Sequence, residues 1–237
     1  MTALLCLCGC SLFSAEDTEP FSAAFTIRTT AKPTEIFFDV PYKEDTQVSD
    51  DANKTISGDA LNFNDLRRLF SASLFSGEGD TTHLWHSQIR YCLQGNFTAW
   101  DTNAVAGVSR ELVGVAGFPG MRQTTESDAN VFIRFTQDVK GNFTYECDGA
   151  DVMRSAVITI PERLSSDQRQ AMIEQYLMHL CGFFHTTETP LDSVLSNDPA
   201  SALTEVDLMM LDILYGEMQA GMTRDVCMHA FDAHFKQ

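Results

Sequence analysis

An α/β (α+β) fold is what the sequence predicts: a small mixed, twisted sheet, one long central helix and a further helix towards the C-terminus, in a core of about 130 residues. Three observations predict it. Runs of alternating apolar residues recur between residues 88 and 160, at the period of half-buried strands. Residues 165–182 carry a helix start, a helical apolar period and a glycine stop in succession. The order strand, helix, strand, strand, helix, loop, helix interleaves both element types within one stretch of chain.

Residues 11–34 mix Ser, Thr, Ala and Pro without a sustained period and read as a tether, with one strand at 24–28. Residues 35–40 read as a strand, and the acidic, polar run 43–55 as a loop. Residues 59–75 place Leu61, Phe63, Leu66, Leu69, Phe70, Leu74 and Phe75 at amphipathic-helix spacing, broken by Gly77-Glu78-Gly79-Asp80. His83 and His86 flank Leu84-Trp85 in what reads as a surface loop. Residues 88–95 alternate Ile89, Tyr91 and Leu93 as a strand, and 103–115 read as a helix stopped by Gly117 and Pro119. Strands are expected at 129–135 (Val131, Ile133, Phe135) and 155–160, with a hairpin arm at 144–147. Asn96 and Asn142 each open an Asn-Phe-Thr triplet after a glycine, which predicts turns between strands rather than sugar acceptors.

Ser165 and Gln168 have capping-box spacing, and Met172, Ile173, Tyr176, Leu177, Leu180 and Cys181 follow on a helical period before Gly182. Residues 192–202 are a polar loop. Thr204 with Asp207 opens another helix over 205–215, expected to stop at Gly216, and 222–237 reads as a tail with one short helix.

The chain has 33 acidic and 16 basic residues, a formal net charge of −17. With no Lys/Arg cluster, a phosphate backbone is excluded as a partner and an anionic lipid surface is disfavoured. No apolar run is long enough for a membrane-spanning helix. Neither a Gly-x-Ser-x-Gly elbow nor a Walker-type glycine loop occurs.

The N-terminus ends a short apolar stretch in Leu7-Cys8-Gly9-Cys10 and resembles a bacterial lipobox. That resemblance implies a signal peptide over residues 1–10, acylation of Cys10, export, and, with Ser11 following, anchoring to the outer membrane facing the periplasm or the cell surface. Export implies an oxidising compartment, and the four cysteines beyond the signal, Cys92, Cys147, Cys181 and Cys227, are disulfide candidates with three possible pairings.

The chemistry-bearing segment runs Gln175-Tyr176-Leu177-Met178-His179-Leu180-Cys181-Gly182-Phe183-Phe184-His185. It is similar to the His-Glu-x-x-His-x-x-Gly-x-x-His motif of metzincin zinc peptidases. There, two His at i and i+4 reach one Zn²⁺, the Glu activates the bound water, and the Gly turns the chain so that a third His returns to the metal. Here His179, Gly182 and His185 match the second His, the Gly and the third His. Downstream, Ser193-Val194-Leu195, Leu203-Thr204-Glu205-Val206-Asp207 and Leu214-Tyr215-Gly216 resemble the group's later turn and helix, and Asn130–Phe135 in the order Asn-Val-Phe-Ile-Arg-Phe resembles its central strand. The combination resembles domain-of-unknown-function family 2927, proteobacterial lipoproteins with a zincin-like core. It implies a metzincin-like domain over 84–222, preceded by an extension over 11–83 and followed by a tail over 223–237.

Two departures bear on activity. Gln175 stands where the first His belongs, and its neutral amide is a feeble zinc ligand. Tyr176 stands where the Glu belongs, and a phenol is a poor base at neutral pH. Glu174 is about 100° away round the helix. The expectation is therefore a protein without catalytic residues, no resident cofactor, and a binding or accessory role towards a peptide or envelope protein. The alternative is an atypical metal-dependent hydrolase in which His179 and His185 hold zinc with a third ligand, for which Asp192 and Asp198 are the nearest acidic candidates.

Overall fold

The computed structural model describes residues 34–37, 61–137 and 140–236, and these described residues fall within one compact unit. The strand expected at 24–28, the loop at 43–55 and the acylation candidate Cys10 lie outside the described residues.

In chain order the elements are β1 (Thr34–Phe37), α1 (Phe63–Leu74), β2 (Ile89–Gly95), α2 (Ala99–Glu111), β3 (Met121–Gln123), β4 (Val131–Thr136), β5 (Asn142–Cys147), β6 (Met153–Pro161), α3 (Ser166–Leu180), α4 (Glu205–Glu217) and α5 (Arg224–His234), with short 3₁₀ turns after α2 and before β4. The strands form one mixed sheet in the order β1-β5-β6-β4-β2-β3. Pairing is parallel for β2 with β3, β2 with β4, and β4 with β6, and antiparallel for β5 with β6 and β1 with β5. The predicted α/β class, with a small mixed sheet, a long helix and a later helix, is what forms.

Register explains the core. Leu93 pairs with Ile133, Ile133 with Ile158, and Ile158 with Phe143. All four are buried, so one apolar row crosses four strands on one face. Positions between them (Cys92, Gln94, Phe132, Arg134, Val157, Thr159) are half-buried or exposed, so the other face is less deeply covered. Helix α3 packs against β6 and α2, while α5 packs against α1 and α4.

Helix α3 begins at the predicted capping box, with Ser165 Oγ accepting from the Gln168 amide at 3.3 Å and Gln168 Oε1 from the Ser165 amide at 3.1 Å. Every residue from Met172 to Leu180 is buried, so the helix is enclosed on all sides rather than amphipathic. A buried ion pair joins it to α2: Arg169 Nη1 lies 3.0 Å from Asp101 Oδ2.

Several expectations shift. Helix α2 starts at residue 99, because Thr98 and Asp101 form a capping box. Helix α4 continues through Gly216 to Glu217. The short strand β3 carries only three residues and no readable period. Asn96 lies between a strand and a helix, whereas Asn142 opens β5 as expected of a strand-to-strand connection. The tail supplies α5, whose Cys227, Met228 and Phe231 are buried, with the Phe231 ring 4.8 Å from that of Phe70. No described helix is long and apolar enough to cross a membrane.

Candidate functional site

The C-terminus of α3 builds the site. Gly182 has φ +113°, a conformation that disfavours any Cβ, and a Cβ there would meet the His83 carbonyl oxygen at 2.8 Å. Its amide donates to the His179 carbonyl at 3.0 Å and the Phe183 amide to the Met178 carbonyl at 3.2 Å, the paired bonds of a Schellman stop. The remaining carbonyls are capped by side chains: Trp85 Nε1 donates to Leu180 at 2.8 Å and the Tyr215 hydroxyl to Cys181 at 3.1 Å.

This turn returns the chain onto His179. Its Nδ1 hydrogen-bonds the Phe183 carbonyl, which only accepts, so the proton sits on Nδ1 and the lone pair on Nε2. The ring is fully buried, 6.2 Å from Phe143 and 5.9 Å from Tyr176 between centroids. Burial holds its pKa down at about 4, with a smaller lowering from His185 nearby, so the imidazole is neutral. His185 is half-buried; its amide donates to the Ser73 carbonyl at 3.1 Å, and burial lowers its pKa against a partial offset from Asp80. The structure thus brings His179 and His185 into one neighbourhood.

The two departing positions are structurally committed. Gln175 Nε2 donates to the Val194 carbonyl at 3.1 Å, tying α3 to the turn at 193–196. Asp207 holds that turn from the other side. It accepts from Ser193 Oγ at 2.5 Å, the Val194 amide at 3.2 Å, and the Thr204 amide and hydroxyl at 3.0 Å each. Tyr176 is 1 % exposed, and its hydroxyl lies so close to Gly141 that a Cβ there would approach it to 2.4 Å. Burial raises its pKa further above the ordinary phenol value, so it supplies no base. Glu174 faces elsewhere, towards Gln170, the Leu203 amide and Glu111; burial pushes its pKa up to about 7, with Glu111 adding to the rise. Asp192 and Asp198 are exposed in their loop. Among the described residues, no three His, Cys, Asp or Glu side chains group closely enough to hold a metal ion.

The four disulfide candidates are free thiols. They sit on β2, β5, the end of α3 and α5, and two are fully engaged in apolar packing: Cys181 at 1 % and Cys227 at 0 % exposure. The even count and the export reading pointed to bridges, but the fold places these residues in separate parts of the core.

One feature has no signal in the sequence. His83, expected in a surface loop, is mostly buried between Tyr145 and Phe184, with ring centroids at 5.5 and 5.7 Å. Its Nδ1 lies 3.6 Å from Cys147 Sγ and 3.6 Å from Asp151 Oδ1. Asp151 has φ +59° and accepts from Thr81 Oγ1 at 2.9 Å. Both contacts fall on the same nitrogen, so no Cys–His–Asp relay forms. Burial and the carboxylates of Asp151 and Asp148 push the Cys147 thiol up to about 12, far from a nucleophile. His83 comes from the loop before β2, whereas Cys147 (the last residue of β5) and Asp151 both belong to the β5–β6 connection, and no spacing links the histidine to them. An open cavity of about 380 Å³ lies apart, lined by Arg90, Arg122, Ser127, Asp128 and Ala129.

The fold and site define a mixed α/β unit with two neighbouring imidazoles at the end of a buried helix. No protein-family model matches the chain, and no curated protein does. Among solved structures the chain is similar to high choriolytic enzyme 1, a hatching enzyme zinc-protease from the medaka fish Oryzias latipes. The match has 12% identity and a TM-score of 0.40, and covers 56% of this chain and 94% of that one.

Proposed function

We propose that the chain is an envelope lipoprotein of the family 2927 type, with a zincin-like core that has lost peptidase chemistry and serves as a peptide-binding module. One observation carries this reading. Where the resemblance puts the first zinc ligand and the water-activating carboxylate, this chain has an amide committed to the Val194 carbonyl and a buried phenol packed on Gly141. Restoring hydrolysis would require both groups to be replaced and their packing undone. The remaining hardware suits recognition of an extended chain. Strand β5, between β1 and β6, lies next to His179, and its Phe143 and Tyr145 stack on Phe184 at 6.2 and 4.6 Å. A peptide adding as a strand at an edge of this sheet would gain main-chain hydrogen bonds.

A second reading is favoured by the His179 tautomer. A main-chain carbonyl on Nδ1 is the arrangement that aims Nε2 at a metal in histidine sites. In that case His179 and His185 would hold zinc, which would supply Lewis acidity and an activated water. One experiment separates the readings: metal content after chelation, refolding and zinc supply, compared with His179→Ala. No bound zinc supports the binding module; one zinc per chain that is lost in the variant supports the hydrolase. The location is tested independently, by incorporation of labelled palmitate that disappears in Cys10→Ser.

A further inference from the structure

Strands β2 and β3 run parallel, and their register sets Arg90 directly beside Arg122. The residues before them, Ile89 and Met121, are buried in the core, so by alternation both arginines project from the opposite face of the sheet. Adjacent strands lie about 4.8 Å apart, and like charges at neighbouring positions repel. The chain has 33 acidic residues against 16 basic ones, so carboxylate partners are plentiful. Even so, among the described residues neither guanidinium forms an ion pair with one. Together with Ser127, Asp128 and Ala129 they line the open cavity of about 380 Å³, a volume within the roughly 300–1,000 Å³ of small-molecule sites.

Arg90 is held in place by the fold itself. Its Nε donates to the Asp128 main-chain carbonyl at 2.6 Å, and its own amide donates to Asn130 Oδ1 at 2.7 Å. Asn130 is fixed in turn, its amide donating to the Arg90 carbonyl at 2.9 Å and its Nδ2 to the Gln88 carbonyl at 3.2 Å. These bonds occupy Nε and leave the Nη donors for an acceptor in the cavity. The Arg122 guanidinium is exposed and, among the described residues, without a partner. Ser127 adds a hydroxyl, 3.1 Å from Thr125 Oγ1. The Asp128 carboxylate accepts from Thr125 Oγ1 at 3.4 Å rather than from either arginine. A guanidinium presents paired N–H donors that match the oxygens of a carboxylate or phosphate. Two of them side by side, without a counter-charge and with one immobilised, suit a doubly charged oxyanion that draws on both.

We propose that the Arg90–Arg122 cavity binds a small dianion, a phosphate group or a dicarboxylate, with Arg90 as the fixed clamp on β2 and Arg122 as the second guanidinium on β3. The site is independent of the peptide-binding reading, because His179 lies beside Phe143 of the core-facing row, on the other face of the sheet. A net charge of −17 repels a large polyanion, which leaves a small molecule as the ligand.

The test titrates the full chain with sodium phosphate and, separately, with sodium succinate, at a pH where both are doubly charged. Ionic strength is held constant with sodium chloride. Heteronuclear NMR follows the backbone amides of residues 88–91 and 120–130 and the arginine Nε–H groups. The expected result is saturable shifts confined to these residues, the Arg90 Nε–H among them, with phosphate, succinate or both; the tighter ligand names the chemistry the site takes. Arg122→Ala and Arg90→Gln should each weaken binding about tenfold or more. Arg68→Ala removes an arginine of α1 that is paired with Asp65, and should change binding by less than about twofold. Shifts that do not saturate with either ligand, or that sodium chloride alone reproduces, overturn the site. Equal weakening by Arg68→Ala overturns it as well, since that is a general charge effect. Unchanged affinity in a folded Arg90→Gln chain overturns the clamp. Should Arg90→Gln fail to fold, Arg122→Ala decides, because that side chain is exposed and its removal leaves the core untouched.

Discussion

The side-chain amide of Gln175 reaches the main-chain carbonyl of Val194 at 3.1 Å and so fastens α3 to the loop that follows it. Both groups are buried. In Gln175→Ala the Val194 carbonyl loses its donor inside the protein, at a cost of about 1–3 kcal/mol. Urea denaturation should show this as a lower midpoint with unchanged slope. Gln175→Glu should be worse, since a carboxylate would face a carbonyl oxygen in a site closed to water.

Asp207 is the anchor of the same region. Its carboxylate caps α4 through Thr204 and also receives Ser193 and Val194, and it is 0 % exposed. Removing it in Asp207→Ala loses a helix cap and strands several donors, a combined cost of about 2–4 kcal/mol. Asp207→Asn keeps one acceptor oxygen and should cost less; the ordering of the two variants by thermal unfolding checks the assignment.

The Arg169–Asp101 pair joins α2 to α3 with Asp101 0 % exposed. Arg169→Ala leaves that carboxylate buried without its cation, and about 3–5 kcal/mol of destabilisation follows. The double variant Arg169→Ala/Asp101→Ala should recover part of the loss, which a double-mutant cycle measures directly.

Much of this fold was legible because local signals agree with the tertiary structure. Alternation marked β2, β4 and β6, and the capping spacings at Ser165/Gln168 and Thr204/Asp207 fixed two helix starts. Gly182 was readable as a stop because a left-handed residue at that place has a strong glycine preference. The start of α2 was hidden because its first turn buries only Asp101 and so shows no apolar period, although Thr98 and Asp101 have the same capping spacing as Thr204 and Asp207. Helix α4 overran Gly216 because tertiary packing outweighs one glycine's propensity cost of about 1 kcal/mol. At the site, His179, Gly182 and His185 could be read from their spacing, since one helix end and one turn place all three. The meeting of His83 with Cys147 and Asp151 could not, because it brings the loop before β2 onto the distant β5–β6 connection. The pairing of β1 with β5 is equally non-local.

The free thiols give a chemical prediction. Non-reducing peptide maps of the purified chain should show no crosslink among Cys92, Cys147, Cys181 and Cys227. In the folded protein Cys181 should resist alkylation, since it is fully buried and burial raises its thiol pKa well above the ordinary value. All four should react once guanidinium unfolds the chain. A map with any two of them joined would contradict the arrangement of β2, β5, α3 and α5.

Two buried groups give stability opposite dependences on pH. His179 titrates at about 4 when folded, against about 6.5 in an unfolded chain. As pH falls through that window the unfolded state takes the proton first, so stability is lost towards acid, by up to about 3 kcal/mol for a fully buried ring. Glu174 titrates at about 7 when folded, against about 4.5 unfolded. There the unfolded state releases its proton first, so stability is lost as pH rises from about 4.5 to 7. Solvent reaches part of this carboxyl, which reduces the effect to about 1–2 kcal/mol. The two contributions oppose each other between about pH 4.5 and 6.5 and separate only in variants. Glu174→Gln should match the natural chain near pH 4.5 and exceed it in urea midpoint above pH 7. His179→Phe should lose the acid-side dependence while keeping the alkaline one. If Glu174→Gln gave the same offset at pH 5 and pH 8, the raised carboxyl would be wrong; if His179→Phe retained the full fall between pH 6.5 and 4, the buried neutral imidazole would be.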